Sequence, residues 1–226
     1  GRYRLSVPIM RVIPNPVPVP PDRDAWSLER ATADQMLCVG RFDLRKGADI
    51  VIRAFAEAVK QRPSLSLVMA GPDSGLVQPT GNRVHFAEFV ASQIAPEARS
   101  RITFLGPQPS QRIHELRLQS RVAIVGSRFE TFSYVAAESM ALGMPVLATD
   151  IYGPGEFIRD GIDGRIVPVE DVGALARGMV EMSSDQSRLA QMGRAARERV
   201  RECFSPERIA KDSVAVYREV LAAHSR

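Results

Sequence analysis

The chain has 226 residues, of which 45% are hydrophobic and 25% charged, and its formal net charge is +4 at pH 7. This composition excludes a disordered or fibrous chain and indicates a globular protein with a sizeable core. The positive charge forms no block interleaved with aromatic residues, which argues against a nucleic-acid-binding protein and leaves small anionic ligands as candidates. No apolar run approaches the ~20 residues of a membrane span, and no signal peptide is apparent.

The two cysteines, Cys38 and Cys203, lie far apart and have no metal-ligand spacing. Cys38 falls inside an apolar run, which predicts a buried, reduced thiol. Reduced thiols are typical of a reducing compartment, so we expect a cytoplasmic protein.

Residues 1–35 include the run VIPNPVPVPPDRD, whose prolines exclude regular structure past Ile13 and predict an initial strand followed by a linker. From Met36 onward, strand and helix patterns alternate. The predicted strands are 36–40, 65–71, 101–106, 122–127, 145–149 and 164–169. The predicted helices are 46–61, 81–95, a helix capped by Ser110 and ending near Gln119, one beginning near Thr131 or Phe132, one from Val172, and two near 184–202 and 206–223.

This alternation predicts an α/β fold, a Rossmann-like doubly wound parallel sheet of about six strands with helices on both faces. In such sheets, ligands bind beyond the carboxyl ends of the strands. The loops that follow Gly40, Ala70, Leu105 and Val125 are therefore the candidate binding loops.

The first loop, GRFDLRKGAD, places Arg41 and Lys46 at a strand–helix junction. Two cations beside the positive end of a helix dipole suit a phosphate or diphosphate. Taken alone, the pattern also fits ordinary solvated charge, which is the simpler interpretation.

The second loop, AGPDSG, lacks the G-x-G-x-x-G spacing, so it predicts a turn and no dinucleotide site. The third loop, LGPQPS, presents the backbone of Gly106, Pro107 and Gln108 at a strand end. It is a candidate border for a base-binding slot, although nothing in the loop itself requires that function.

The fourth loop opens the stretch SRFETFSYVAAESMALGMPV. If the helix begins near Thr131 or Phe132, Glu130 lies at its start and Glu138 two turns inside, ~10–12 Å farther along the axis. The free amides of the first turn, at about 133–135, form an anion site together with the helix dipole.

A carboxylate, an anion site and a second carboxylate match the sugar hydroxyls, diphosphate and ribose hydroxyls of a nucleotide sugar. The alternative is that one Glu caps the helix and the other pairs with an Arg elsewhere. The spacing of Glu130 and Glu138 does not decide between these interpretations.

Four blocks in order, GRFDLRKG, FLG, SRFETFSYVAAESMALGMPVLATD and GPGEFIRDGIDGRIVP, resemble the donor-binding half of retaining GT-B glycosyltransferases of family 4 (group 1). The resemblance covers about residues 9–223. Its most specific part is the E-x7-E block followed by A-x-G-x-P-V.

The resemblance implies a role for each matching residue. Arg41 and Lys46 would neutralise the donor diphosphate, and Glu130 would hold hydroxyls of the transferred sugar. Glu138 would hold the ribose hydroxyls. The backbone amides of Ser133, Tyr134 and Val135 would meet the distal phosphate, and Thr131 and Phe132 would also belong to the donor site. The base would lie beside Gly106, Pro107 and Gln108. The resemblance implies no metal and no cofactor, only the nucleotide sugar as donor substrate.

Three residues depart from the family pattern: Ser133 replaces the usual Gly, Gly126 the usual Pro and Arg121 the usual Asp. The last two concern packing. The resemblance would place Ser133 beside the sugar–phosphate junction, where its hydroxymethyl group would either narrow the pocket or donate a hydrogen bond.

The resemblance also implies a domain organisation. Residues 36–226 would form the nucleotide-sugar-binding Rossmann-like domain, the C-terminal half of a GT-B enzyme, whose acceptor domain would precede Gly1. We expect this half alone to bind the donor and to catalyse little. Alternatives are a non-catalytic nucleotide-sugar sensor or subunit, and a GT-B nucleotide-sugar epimerase.

The Arg-rich helix near 188–201 predicts a solvated face, with membrane-surface contact as a lesser alternative.

Overall fold

The computed structural model describes residues 9–224, and residues 9–20 carry no regular structure. The rest of the predicted initial strand, residues 1–8, lies outside the described range. After a short 3-10 turn at Asp22–Asp24, the strands are β1 (Gln35–Val39), β2 (Ser66–Ala70), β3 (Leu76–Val77), β4 (Arg83–Val84), β5 (Ile102–Phe104), β6 (Val122–Val125), β7 (Val146–Thr149) and β8 (Arg165–Val167). The helices are α1 (Ala48–Gln61), α2 (Phe86–Gln93), α3 (Pro96–Arg99), α4 (Ser110–Gln119), α5 (Tyr134–Leu142), α6 (Pro154–Phe157), α7 (Val172–Ser184), α8 (Gln186–Phe204) and α9 (Pro206–His224).

Six strands form one parallel sheet in the order β5-β2-β1-β6-β7-β8. The central strands β6 and β7 are buried at every residue, as a sheet covered on both faces requires. The order reverses between β1 and β6, because the chain first adds β2 and β5 on one side of β1 and then returns to the other side. A ligand crevice is expected at this switch point, where the loops after β1 and β6 diverge.

Helices cover both faces of the sheet. Right-handed crossovers that run in opposite directions along a sheet put their helices on opposite faces. The crossover through α1 leads from β1 to β2, and the crossover through α5 leads from β6 to β7 in the other direction. In agreement, α7 packs on α1, whereas α8 packs on α5. The predicted doubly wound α/β fold is confirmed.

The helix predicted over 81–95 is wrong at its start. Residues Leu76–Val77 and Arg83–Val84 form a small antiparallel pair, and the helix begins only at Phe86. The turn between the strands uses Gly81 at φ +87, and the N–H of Gln78 donates to the carbonyl of Asn82 at 2.8 Å. A Gly-Asn pair is typical of such a turn. Its preference for a turn outweighs the apolar pattern that predicted a helix here.

Ser110 does not cap α4 as predicted. It is the first helical residue, and Pro109, with φ −65 and ψ 154, takes the N-cap position. An N-cap residue needs a non-helical backbone, and here the proline has it.

The segment before β1 packs on the core. The N–H of Val17 donates to the carbonyl of Phe204 at 2.7 Å, and the Trp26 indole donates to the carbonyl of Ser120 at 2.7 Å. Cys38 is buried in β1, and burial raises the pKa of its thiol to about 12. The thiol is therefore protonated at neutral pH, as expected of a structural cysteine.

The two loops at the switch point touch through their backbones. Gly47 caps α1 with φ +63, and a Cβ there would lie 1.8 Å from the carbonyl oxygen of Gly126 after β6. A Cβ on Gly126 would in turn lie 2.5 Å from Cγ2 of Val51. Glycine at position 47 permits this backbone approach, and the absence of a side chain at Gly126 leaves room for Val51, so the two loops lie close together.

We predict that Gly47→Ala destabilises the protein more than Gly81→Ala. Both glycines have a positive φ, but a Cβ at Gly81 would have no atom within 4 Å. Gly81→Ala should therefore cost only the backbone strain of about 1–2 kcal/mol. Gly47→Ala should add roughly 1–3 kcal/mol for the overlap with Gly126. Urea unfolding at 25 °C measures both, and equal losses would show that the close approach does not constrain the fold.

Candidate functional site

The candidate site lies between the loops after β1 and β6. The first loop carries Arg41 and Lys46, and the second carries Ser127 and Glu130. Beside the glycine contact, the N–H of Arg128 donates to the carbonyl of Arg45 at 2.9 Å, so the loops also share a main-chain hydrogen bond. The loops at the carboxyl ends of β1 and β6 thus bring the predicted cations beside the predicted carboxylate.

Lys46 and Glu130 form an ion pair between Nζ and Oε1. The Glu130 side chain is 8% exposed, and its Oε1 also accepts from the Ser127 hydroxyl at 3.1 Å. Together with Val135 at the start of α5, the pair borders an internal cavity of only about 10 Å³. That volume holds about one water, so the ion pair itself occupies the space between the loops.

Arg41 belongs to the same loop but has a different partner. Its Nε donates to Asp43 Oδ2 at 2.7 Å, and its side chain is 45% exposed. The other carboxylate oxygen of Asp43 accepts from the backbone N–H of Lys46 at 2.7 Å. Asp43 therefore orders the loop that carries both cations.

Helix α5 begins at Tyr134, so the prediction of a start near Thr131 or Phe132 is wrong. Ser133 precedes it with φ +67 and ψ 76, a left-handed conformation that an α-helix does not contain. The ring of Phe132 packs on those of Phe157 and Phe204, with centroids 5.8 and 5.3 Å away. These contacts and the turn at Ser133 hold the loop outside the helix.

The later start changes the geometry of the two carboxylates. Glu138 is the fifth residue of α5, about 6 Å along the axis from Tyr134 rather than two turns inside. Glu130 lies in the loop, four residues before the helix. The N–H groups of Tyr134 and Val135 in the first turn bind no acceptor among residues 9–224, so they are available to a ligand.

Ser133 is an unusual N-cap residue. Its side chain makes no capping hydrogen bond, and its hydroxyl is buried without a partner in the described part of the chain. A left-handed backbone at a residue with a Cβ costs about 1–2 kcal/mol. An unsatisfied buried hydroxyl costs roughly another 1–3 kcal/mol.

Glu138 pairs with a buried arginine. The alternative interpretation of the sequence predicted such a pair for either Glu130 or Glu138. Nη2 of Arg117 on α4 donates to Glu138 Oε2 at 2.5 Å, and the side chains are 9% and 45% exposed, respectively. Within residues 9–224, Oε1 has no hydrogen-bond partner. The carboxylate is therefore oriented by one oxygen and open to another donor at the second.

The loop after β5 stands apart from this group of residues. Two strands, β2 and β1, separate β5 from β6. The carbonyl of Gly106 accepts from the N–H of Gly71 at 2.9 Å, and the Gln108 amide donates to the carbonyl of Leu105 at 2.8 Å. Pro107 is exposed between them. Across the described residues, no hydrogen bond joins this loop to Glu130 or Glu138.

The sequence did not reveal the role of Arg128. Its guanidinium donates to both carboxylate oxygens of Asp49 at 2.7 and 2.9 Å, to the carbonyl of Leu44 at 2.6 Å and to Glu170 Oε2 at 3.2 Å. The hydrogen bonds to Asp49 are the main reason why the pKa of Arg128 is raised. We call Arg128, Leu44, Asp49 and Glu170 the Arg128 network; it joins the loops after β1, β6 and β8. An arginine two residues before Glu130 is the only sequence signal of this role.

A groove of about 510 Å³ also went unpredicted. It lies between the loops after β6 and β7 and has Glu130 in its wall. The exposed rings of Phe129 and Tyr152 and the carboxylates of Asp150 and Glu156 line it as well. Aromatic rings with carboxylates offer apolar faces and hydrogen-bond acceptors, which suits a polyhydroxylated ligand.

Among residues 9–224, no group of three or more His, Cys, Asp or Glu is placed to hold a metal ion. No helix of this part of the chain combines the length and apolarity that crossing a membrane requires.

We predict that Arg128→Ala lowers the free energy of unfolding by about 2 kcal/mol, because it leaves Asp49 half-buried without its bidentate partner. The matched control is Arg208→Ala, which removes a single exposed ion pair to Asp212 and should cost less than about 1 kcal/mol. Chemical denaturation of both variants gives the comparison. Equal losses would show that Arg128 is an ordinary surface cation.

Sequence comparison assigns residues 22–199 to the family described as glycosyl transferases group 1. The chain is 34% identical over 192 residues to a D-inositol 3-phosphate glycosyltransferase of Salinispora tropica, covering 82% of this chain and 38% of that protein. It is 33% identical over 185 residues to the lipopolysaccharide core biosynthesis mannosyltransferase LpcC of Rhizobium leguminosarum bv. viciae, covering 81% and 50%. The chain thus spans half or less of the length of these relatives.

The fold matches a solved structure. Sucrose-phosphate synthase from Thermosynechococcus elongatus superimposes with a TM-score of 0.73 at 28% identity, covering 94% of this chain and 53% of that one. The region assigned to the family, residues 22–199, includes the loops after β1 and β6 and the start of α5. The chain belongs to the group 1 glycosyltransferases.

Proposed function

We propose that this chain is the nucleotide-sugar-binding half of a retaining GT-B glycosyltransferase of family 4. The complete enzyme would transfer a hexosyl-type sugar from a nucleoside diphosphate sugar to an acceptor bound mainly by a second, N-terminal domain. The observation that carries the proposal is the set of free N–H groups at the start of α5, next to Lys46 and Glu130, at the switch point of the sheet.

The diphosphate would bind at the start of α5. The N–H groups of Tyr134 and Val135 and the helix dipole favour a negative charge there. Lys46 and Glu130 lie at the edge of the same small cavity. Lys46 would give up its ion pair with Glu130 and bind a phosphate oxygen in its place. Arg41 is exposed next to them and would complete the neutralisation of the diphosphate.

The exchange would release Glu130 for the sugar. Glu130 lines both the groove of about 510 Å³ and the small cavity beside Lys46, so it lies between the two. A carboxylate accepts from two neighbouring hydroxyls of a sugar ring. The transferred sugar would therefore lie in the groove against Glu130, with Phe129 and Tyr152 at its edge.

Glu138 would hold the ribose. Arg117 fixes one carboxylate oxygen, which leaves Oε1 to accept from ribose hydroxyls. The base would extend towards the loop Gly106–Gln108, whose main chain offers hydrogen-bonding groups. The proposed site uses no metal, because Lys46, Arg41 and the helix start supply the positive charge.

In the reaction, the bond between the anomeric carbon and the diphosphate oxygen breaks. That carbon forms a bond to the oxygen of an acceptor hydroxyl, whose proton passes to the leaving diphosphate. The leaving diphosphate gains negative charge in the transition state. Fixed cations and amides at that position stabilise this charge more than that of the bound donor, which lowers the barrier.

A second candidate is a nucleotide-sugar-binding protein without transferase activity. The observation that favours it is the Ser133 side chain, which adds bulk at the buried start of α5. Donor binding without turnover by the full-length protein would support this candidate.

We predict that Lys46→Ala weakens nucleoside diphosphate binding about 10- to 100-fold, the value of one charge-assisted hydrogen bond of roughly 1.5–3 kcal/mol. Titration calorimetry with uridine, guanosine and adenosine diphosphates identifies the preferred base and then compares the variants. Lys60→Ala is the matched control, because Lys60 is an exposed lysine at the other end of α1. Unchanged affinity in Lys46→Ala would contradict the assigned role, and no binding by the wild type would overturn the proposed function.

A further inference from the structure

Ser133 differs from the other residues with a left-handed backbone. Among the non-glycine residues described, Asp34, Ser133 and Glu170 have a positive φ. Asp34 accepts from Arg62 at 2.9 Å, and Glu170 accepts from Arg128 at 3.2 Å, so these two side chains compensate for the strain with hydrogen bonds. The Ser133 hydroxyl has no such partner in residues 9–224.

The Ser133 hydroxyl also does not cap the helix, which is the usual role of a serine at this position. An N-cap serine normally accepts from an N–H of the first turn, but Ser133 makes no capping bond. The side chain is 5% exposed, so bulk water does not compensate for the missing partner. Glycine would adopt the same backbone at lower cost and would leave no buried hydroxyl.

Ser133 lies at the start of a helix, where an anion is favoured. It directly precedes Tyr134 and Val135, whose N–H groups have no partner within residues 9–224, and Val135 borders the cavity shared by Lys46 and Glu130. These N–H groups and Lys46 are hydrogen-bond donors, whereas Glu130 is an acceptor. A serine hydroxyl is a donor as well as an acceptor, so it suits the same ligand.

We propose that the Ser133 hydroxyl donates a hydrogen bond to the sugar-bearing phosphate of the donor and makes the site selective for a diphosphate over a monophosphate. The inference rests on the proposed function. The phosphate is the one farther from the ribose, because Glu138 lies deeper in α5 and Ser133 lies before its first residue. Ser133 is thus a specificity-determining residue of the site.

The test compares Ser133→Ala with Ser133→Gly by titration calorimetry. The ligands are the nucleoside diphosphate that the wild type binds most tightly and the corresponding monophosphate. Ser133→Ala keeps the Cβ and the strained backbone and removes only the hydroxyl. We expect its diphosphate affinity to fall roughly tenfold and its monophosphate affinity to stay within about twofold, since only the diphosphate has the second phosphate.

Ser133→Gly separates hydrogen bonding from steric crowding. It also removes the hydroxyl, so its diphosphate affinity should fall below that of the wild type, while relief of the strain raises its melting temperature. It keeps the proposal testable if Ser133→Ala does not fold. The matched control is Ser139→Ala, because the buried Ser139 hydroxyl on α5 donates to the carbonyl of Val135 at 2.8 Å; its ligand affinities should match those of the wild type.

Three results would overturn the proposal. Wild-type diphosphate affinity in Ser133→Ala would show that the hydroxyl does not contact the ligand. Tighter binding by Ser133→Gly than by the wild type would show that the side chain obstructs the site. If the wild type binds no nucleoside diphosphate, the proposed function fails and this inference fails with it, whereas the first two results leave the proposed function intact.

Discussion

The contact between Gly47 and Gly126 is the constraint on which the rest of the site depends. The loops after β1 and β6 diverge at the switch point of the sheet, and without a close contact their side chains would lie too far apart to share a ligand. Backbone approach at two glycines sets their separation. The Arg128 network then joins the same loops to the loop after β8. The position of Lys46 relative to Glu130 follows from these contacts.

The charges of the site occur in pairs. The pairs are Lys46 with Glu130, Arg41 with Asp43, and Arg117 with Glu138. Isolated buried charges are costly, and pairing reduces this cost. Binding a nucleotide sugar would therefore exchange partners. A phosphate oxygen would replace Glu130 as the partner of Lys46, and sugar hydroxyls would replace Lys46 as the partners of Glu130. Within residues 9–224, the first-turn N–H groups of Tyr134 and Val135 and the buried Ser133 hydroxyl have no hydrogen-bond partner, which is why we assign the phosphate to them.

Much of the fold was predictable from sequence, because six apolar strands that alternate with amphipathic helices have one common arrangement. The hairpin at Leu76–Val84 was missed because a two-residue strand carries almost no periodic signal. The start of α5 was misplaced because helix propensity does not show that Ser133 adopts a left-handed backbone. The partners Arg117 and Arg128 could not be predicted, since their contacts join residues far apart in the chain.

The most direct test of the anion site is the response of backbone amides in ¹⁵N-resolved NMR spectra as uridine, guanosine or adenosine diphosphate is added. The N–H groups of Tyr134 and Val135 are unbound at the start of α5, so a phosphate that binds there must change their environment. We predict that these two amides show some of the largest shifts, together with residues of the loop that carries Lys46. Shifts in the groove that residues 12–15 and Phe204 line together with Thr131 and Phe132, without shifts of Tyr134 and Val135, would contradict a diphosphate site at the start of α5.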